Sequence, residues 1–318
     1  MTRNIETPKI GIVAPTKEVS MDNPETIKEM ADRYFLDAPP YFIAVYHHTI
    51  LPTEARNHTP PREGETRYTA ETPFLDPIVL LTALAQETSE CQLFTTVLIA
   101  PQMQTVNLAK QAADLANISK GRLNLGLGVG WSQAEMDSLG MNFNTRGKRL
   151  NAQIPLLELL WTGKKVTHQI DQENINGMAL NPIPKHDIPI WVGGLSDAAL
   201  ERAAKYADGW MPLENAQTII KNIPLLIQYL EIYERNLEEF KIMGRVPLGM
   251  QPLSKCVEDF LKLKEAGITH VALTTTGKQL DDWSDHRTLI IEFLKATEEF
   301  RRPPRLSFIP QNPSSLTD

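Results

Sequence analysis

Short apolar β-type runs alternate with segments of helical period along nearly the whole chain, and that alternation limits the fold more than any single residue does. Lys9–Ala14 (KIGIVA) suits a buried strand, and Pro24–Phe35 carries Ile27, Met30, Ala31 and Tyr34 at helical spacing. Phe42–Tyr46 (FIAVY) is β-rich; Asp76-Pro77 opens a helix with proline in its first turn. A strand at Cys91–Ile99, a helix at Val106–Ile118 and a strand at Leu123–Gly130 follow. The pattern then pauses. Trp131–Trp161 reads as mostly helical, and Lys164–Lys185 as an irregular excursion with short strands. Alternation resumes with a strand at Ile188–Val192, a helix from Ser196, a strand at Gly209–Met211 and a long helix over Asn215–Glu238. A strand at Val246–Met250, a helix at Lys255–Ala266, a strand at His270–Thr274 and a helix at Leu289–Phe300 end the series. About eight strand–helix units suit a closed TIM (β/α)8 barrel, with a doubly wound open sheet as the competitor.

Charge and cysteine content narrow the function. The 32 Lys and Arg against 39 Asp and Glu give a net charge of −7. That opposes a basic nucleic-acid surface and a polybasic membrane anchor. No apolar run approaches the roughly 18 residues of a spanning helix. The start, MTRNIETPKIGIVAP, has no apolar core ahead of a small-residue cleavage site, so the expected location is cytoplasmic. Cys91 and Cys256 are too few for a disulfide framework or a cysteine-rich metal site.

In a parallel barrel, chemistry sits at the carboxyl ends of the strands. His47-His48, Thr95-Thr96, Gly130-Trp131, Gly193-Gly194 and Thr274–Gly277 all fall there. In IPIWVGGLSDAALERAAKYADGW, an apolar strand runs into two glycines, then Ser196 stands at a helix N-cap position. Such a turn can hold a phosphate against free helix amides, and it can equally be an ordinary capped turn. Asp197 would disfavour a phosphate if it pointed inward, so it is expected to face the helix dipole or solvent. In LNLGLGVGW, Gly126, Gly128 and Gly130 bare one strand face, which leaves room for bulky barrel neighbours, the favoured reading, or for a flat ligand; the G-x-G-x-G spacing is not a dinucleotide fingerprint. His47 and His48 can exchange protons near neutral pH. No carboxylate or third histidine sits at ligand spacing beside them, so no metal is expected; His168 and His186 read as solvated.

Two blocks resemble the bacterial luciferase-like flavin and deazaflavin oxidoreductases. One runs from Phe74 to Gly163 with a T-x-V-L strand, an A-K-Q-A helix, S-x-G-R-L, G-x-G-x-G-W, and F-x-x-R-G-x-R-L before L-W-T-G. The other is PIWVGGLSDAALERAAKYADGW. Together they cover over a third of the chain in the family's order. The resemblance implies a TIM barrel over 1–302 with an insertion or lid at 131–187 between the middle strands, and a loosely attached tail at 303–318. It implies FMN or coenzyme F420 at the barrel's carboxyl end, with S-x-G-R-L-x-L-G-x-G-V-G-W closest to members labelled F420-dependent. Gly193, Gly194, Ser196 and Asp197 match the loop that holds the cofactor phosphate. Thr96 and Val97 match the strand where relatives carry a non-prolyl cis peptide under the ring, and Gly130 and Trp131 border the same place.

His48 matches the histidine of a D-H-x-x-L-P segment, here His47-His48-Thr49-Ile50-Leu51-Pro52, that serves as an acid near the ring. The aspartate of that segment is His47 here, and the pair is also similar to the double histidine of luciferases, which would make His47 reactive. Ile99 replaces a cofactor-contacting threonine of some deazaflavin relatives, and Trp131 stands where some dehydrogenases carry a catalytic glutamate. Glu135, one turn on, is expected to be a helix-face charge. Arg146 and Arg149 are expected to make helix-start salt bridges, with contact to an anionic substrate or cofactor tail as the alternative. The implied activity is oxygenation or hydride transfer on a small organic substrate, with a separate flavin or F420 reductase and a homodimer among the implied partners. The segment Asn57–Glu71 is expected to border the pocket. A non-catalytic flavin-binding barrel and an unrelated phosphate-binding barrel enzyme are the competing readings.

Overall fold

The computed structural model describes residues 6–16, 40–53, 68–212, 214–277, 280 and 282–301. The expected helix at Pro24–Phe35, most of Asn57–Glu71 and the tail 303–318 lie outside the described residues. The strands are β1 (Lys9–Val13), β2 (Phe42–Val45), β3 (Gln92–Thr95), β4 (Leu98–Ile99), β5 (Leu123–Gly128), β6 (Val166–Ile170), β7 (Glu173–Met178), β8 (Ile190–Val192), β9 (Gly209–Trp210), β10 (Lys241–Pro247) and β11 (His270–Thr274). They pair in the order β3-β2-β1-β11-β10-β9-β8-β5-β4, and β3 also pairs with β5. The sheet therefore closes on itself as eight parallel staves, the third made of β3 and β4 together. The barrel expectation holds and the open-sheet competitor does not.

Strand alternation separates two cores. Residues facing outward (Ile12, Ile43, Leu93, Leu125, Ile190, Val246, Leu273) join the core beneath the helices. Residues facing inward form a second cluster of Val13, Phe42, Ala44, Phe94, Trp191, Met211, Met243 and Ala272, with Tyr46 and Val97 against it. The amino half of the interior is filled by rings. Phe42 and Phe94 lie 4.9 Å apart, Phe94 and Trp191 5.4 Å, and Trp191 and His270 5.1 Å. Glycine makes room for them: a Cβ on Gly11 would stand 2.3 Å from the Phe42 ring, and one on Gly209 2.4 Å from Trp191. The carboxyl ends of the strands, beyond these rings, are where the chemistry-bearing residues lie.

The third stave is interrupted. Phe94 pairs with Asn124 and Leu98 with Leu127, so between these pairs three residues on one side oppose two on the other. The surplus residue sits at Thr96–Val97, whose peptide bond is cis. This bulge turns Val97 into the barrel. There it fills the bare face of the glycine strand: a Cβ on Gly128 would lie 2.3 Å from Val97 Cγ2, and one on Gly193 2.8 Å from Val97 Cγ1. Packing, as expected, is what the glycine period serves.

The helices are α1 (Pro77–Glu87), α2 (Thr105–Ile118), α3 (Gln133–Ser138), α4 (Arg146–Trp161), α5 (Asp197–Tyr206), α6 (Ala216–Ile232), α7 (Leu253–Glu265), α8 (Trp283–Ala296) and α9 (Glu298–Arg301). Asp76, Ser196, Asn215 and Asp282 cap α1, α5, α6 and α8 through their side-chain oxygens. Three expected boundaries move. The helix expected to reach Glu238 stops at Ile232, where Glu234 turns to a φ of 53°. The strand expected at Val246–Met250 is Lys241–Pro247, and the last helix begins at Trp283 because Asp282 caps a polar first turn. Within 131–187, α4 packs between α2 and α5 in the outer ring. The remainder is a mouth segment containing α3 and an antiparallel hairpin, β6–β7.

Candidate functional site

Gly193 follows β8, and the chain turns through Gly194 at a φ of 107°, a conformation only glycine adopts freely. Ser196 then caps α5, its Oγ accepting from Ala199 N at 3.3 Å. The first turn of a helix has N–H groups without intrahelical acceptors, at the positive end of its dipole. Trp210, from the outer core, orients this turn by donating its indole N–H to Gly194 O at 2.8 Å. A trans peptide points its N–H opposite its C=O, so the Leu195 N–H faces away from Trp210. Gly193 N–H is engaged in the ladder, donating to Leu127 O at 2.9 Å. Asp197 is exposed and its carboxylate bonds the Tyr229 hydroxyl, raising the Tyr229 pKa. Only its backbone therefore belongs with the turn, and the expected outward orientation is the one observed.

Beside it, Thr96 is 1% exposed and its Oγ1 has no hydrogen-bond partner. The neighbouring Thr95 hydroxyl is satisfied, donating to Gly126 O at 2.7 Å. Burying an unpaired hydroxyl costs about 1–3 kcal/mol. A polar ligand atom at the mouth would offset that cost.

The histidine pair takes two different roles. His47 Nδ1 accepts from Ile99 N at 2.9 Å, so in neutral His47 the proton is on Nε2, 3.1 Å from Thr49 Oγ1. Both its ring nitrogens are engaged inside the protein, and burial lowers its pKa to about 4 despite the nearby charges of Asp76 and Glu135. The Ile99 side chain fills the space where a Cβ on Gly130 would come within 2.7 Å. His48 instead places Nδ1 2.9 Å from Glu135 Oε2. Its ring lies edge-on to Phe74 at 4.9 Å and to Trp131 at 5.2 Å, with Tyr68 at 5.9 Å. Trp131, 38% exposed, thus walls His48.

Glu135 is the residue that sequence reasoning missed. The expected helix-face charge is 1% exposed. Its Oε1 accepts from Thr49 N at 2.7 Å. Burial alone would raise its pKa, yet hydrogen bonding and charge from His48, with Thr49 N and Gln102, hold it below the ordinary carboxylate range. A signal for it exists in Ser132-Gln133-Ala134-Glu135, a capping-box pattern. Ser132 Oγ accepts from Glu135 N at 3.2 Å, while the carboxylate leaves its own helix for the histidine strand.

The two arginines divide. Arg146 makes no ion pair among the described residues; it donates to Gly130 O at 3.1 Å and Phe143 O at 2.7 Å and lies 3.6 Å above the Phe143 ring. The expected helix-start salt bridge is therefore absent there, because loop carbonyls supply the acceptors. Arg149 does form ion pairs, to Asp171 at 2.6 Å and to Glu173, fastening the hairpin to the barrel. It also donates to Pro101 O and Met103 O. His168 and His186 are exposed. Among the described residues, no three His, Cys, Asp or Glu side chains meet in an arrangement that holds a metal ion.

The expected site residues thus come from the carboxyl ends of four adjacent staves, β2, β3–β4, β5 and β8. That arc includes both the histidine pair and the glycine turn. Compared with known proteins, residues 47–262 match the family described as Luciferase-like monooxygenase. The chain belongs to this family. The Uncharacterized protein Mb0965c of Mycobacterium bovis is 35% identical over 149 residues, 47% of this chain and 51% of that one. The matched stretch thus spans about half the length of that relative. Pyrimidine monooxygenase RutA of Variovorax paradoxus is 31% identical over 42% of this chain and 37% of its own. Among solved structures, an F420-dependent secondary alcohol dehydrogenase in complex with an F420-acetone adduct has the same fold. Its TM-score is 0.72 at 16% identity, over 94% of this chain and all of that one. Monooxygenase RslO1 from Streptomyces bottropensis has a TM-score of 0.65 at 16% identity, over 91% and 99% of the two chains. Family membership displaces the reading of an unrelated phosphate-binding barrel. No helix among the described residues is long and apolar enough to cross a membrane.

Proposed function

We propose that this protein is an oxidoreductase that binds FMN or coenzyme F420 across the barrel mouth and oxygenates, reduces or oxidises a small organic substrate. The observation that carries this reading is the buried, unpartnered Thr96 hydroxyl beside the open glycine turn. In this reading the ring lies against Thr96, Val97, Gly130 and Trp131. The anionic tail is held at Gly193, Gly194 and Ser196 and by the Asp197 backbone, where unpaired amides and the α5 dipole favour negative charge. When bound, the cofactor supplies the hydride or dioxygen chemistry that these side chains lack. The chain contributes orientation, exclusion of water by the Tyr68, Phe74 and Trp131 rings, and a proton site at His48 Nε2. His47, with both nitrogens engaged, shapes the strand end instead.

The deazaflavin option is supported by the F420-dependent structures of similar fold, FMN by a riboflavin lyase of similar fold holding modified FMN, and oxygenation by the monooxygenase relatives. A separate reductase, a homodimer and a cytoplasmic location complete the proposal. The test is titration with FMN and with coenzyme F420, followed by tryptophan fluorescence. Saturable binding of one of them, weakened at least about tenfold in Thr96→Val and Gly194→Val proteins, is expected. Binding of neither by the folded wild-type protein overturns the reading.

A further inference from the structure

We propose that Glu135 is a positioning residue: by accepting the Nδ1 proton of His48, it makes Nε2 the nitrogen that exchanges protons with a substrate at the barrel mouth.

The proposal rests on the reading of His48 given above and deepens it. Four observations carry it. The Glu135 carboxylate is buried and has both oxygens assigned, Oε1 to Thr49 N at 2.7 Å and Oε2 to His48 Nδ1 at 2.9 Å. A backbone N–H can only donate, so Glu135 is held as an acceptor at the base of the histidine. An ionised carboxylate facing Nδ1 selects the neutral tautomer with its proton on Nδ1, and the lone pair then falls on Nε2. Finally, among the described residues no side chain or backbone group hydrogen-bonds His48 Nε2, whereas both ring nitrogens of His47 are taken.

The two neighbours are thus set in opposite tautomers, His47 by the Ile99 amide and His48 by Glu135. When a substrate loses a proton to Nε2, the bond formed is N–H on His48. Glu135 stays ionised and faces the resulting imidazolium, and the return step delivers the same proton from Nε2. The rings of Phe74 and Trp131 hold the imidazole edge-on, so rotation that would exchange the nitrogens is obstructed.

The test reads the tautomer in the protein without added cofactor. Histidine is labelled with 15N, the His48 signals are assigned by their loss in His48→Gln, and the neutral form is examined above neutrality. Wild-type protein is expected to carry the proton on Nδ1. In Glu135→Gln the side-chain oxygen stays on Thr49 N–H, so the amide nitrogen faces His48 and donates; the proton is expected to move to Nε2, with cofactor affinity unchanged within about threefold. A wild-type proton on Nε2, or a tautomer unaffected by Glu135→Gln in folded protein, overturns the proposal. The wild-type measurement decides the matter even if the variant does not fold. Failure of FMN and F420 to bind would overturn the oxidoreductase reading and leave this result standing. An unchanged tautomer would do the reverse.

Discussion

At the scale of single residues, His47 and His48 show how little adjacency says about role. Both were legible in the sequence as a strand-end pair. What separates them is a long-range partner for each, Ile99 N and Glu135, and no spacing rule reports a contact across 87 residues. Glu135 looked like a helix-face charge because local pattern places it on a short helix, while its energetics are decided on another strand. His47 carries a measurable consequence. Its pKa drops from 6.5 to about 4 on folding. The unfolded chain therefore binds the extra proton first, and stability present above about pH 6.5 is lost as the pH falls toward 4. At about 1.4 kcal/mol per unit, the loss approaches ~3 kcal/mol. Urea unfolding of the cofactor-free protein across this window should show that decline. His47→Gln, which keeps an acceptor for Ile99 N–H, should flatten it; an equal slope in both proteins would remove His47 as the cause.

At the scale of elements, the apolar strands and capped helices were readable, and the errors have physical reasons. β10, Lys241–Pro247, mixes a lysine, a glycine, an arginine and a proline, and only closure of the barrel makes it a strand. The helix α6 ends early because the chain turns at Tyr233–Glu234, a position without glycine to announce it. Arg149 shows tertiary pairing that periodicity cannot carry: it ties α4 to Asp171 and Glu173 of the hairpin and to the carbonyls after β4. Arg149→Met removes the cation and leaves the largely buried Glu173 carboxylate only the Thr105 N–H and hydroxyl as donors. Because Asp171 is half-exposed, the cost should fall below that of a fully buried pair, at about 2–3 kcal/mol. Calorimetry should show the fall, and limited proteolysis should cut first in the hairpin. An unshifted melting temperature would mean that the hairpin is held by other contacts.

At the scale of the whole molecule, eight strand–helix units were countable, but the order of closure and the break in the third stave were not. Hydrophobic periodicity runs straight through Cys91–Ile99 and conceals the surplus residue. The candidate site gathers residues from four staves, so its occupant should couple to the stability of the entire barrel. A ligand at a hundred times its dissociation constant adds about 2.7 kcal/mol. For a chain of this size, that should raise the melting temperature by several degrees for the cofactor that binds and not for the other. No shift with either FMN or F420 at saturation would mean that the barrel mouth holds some different group.

The extra residue in the third stave also fixes what a one-residue deletion there would remove. Without Thr96 or Val97 the ladder against β5 would run one to one from Phe94–Asn124 to Leu98–Leu127, so Leu98 would keep its partner and its outward face. What would vanish is the shelf itself, either the methyl groups that fill the lumen beside Gly128 and Gly193 or the sheltered hydroxyl next to them. Evolution can therefore shorten this wall without toppling it, but only by giving up the ledge on which a ligand would rest.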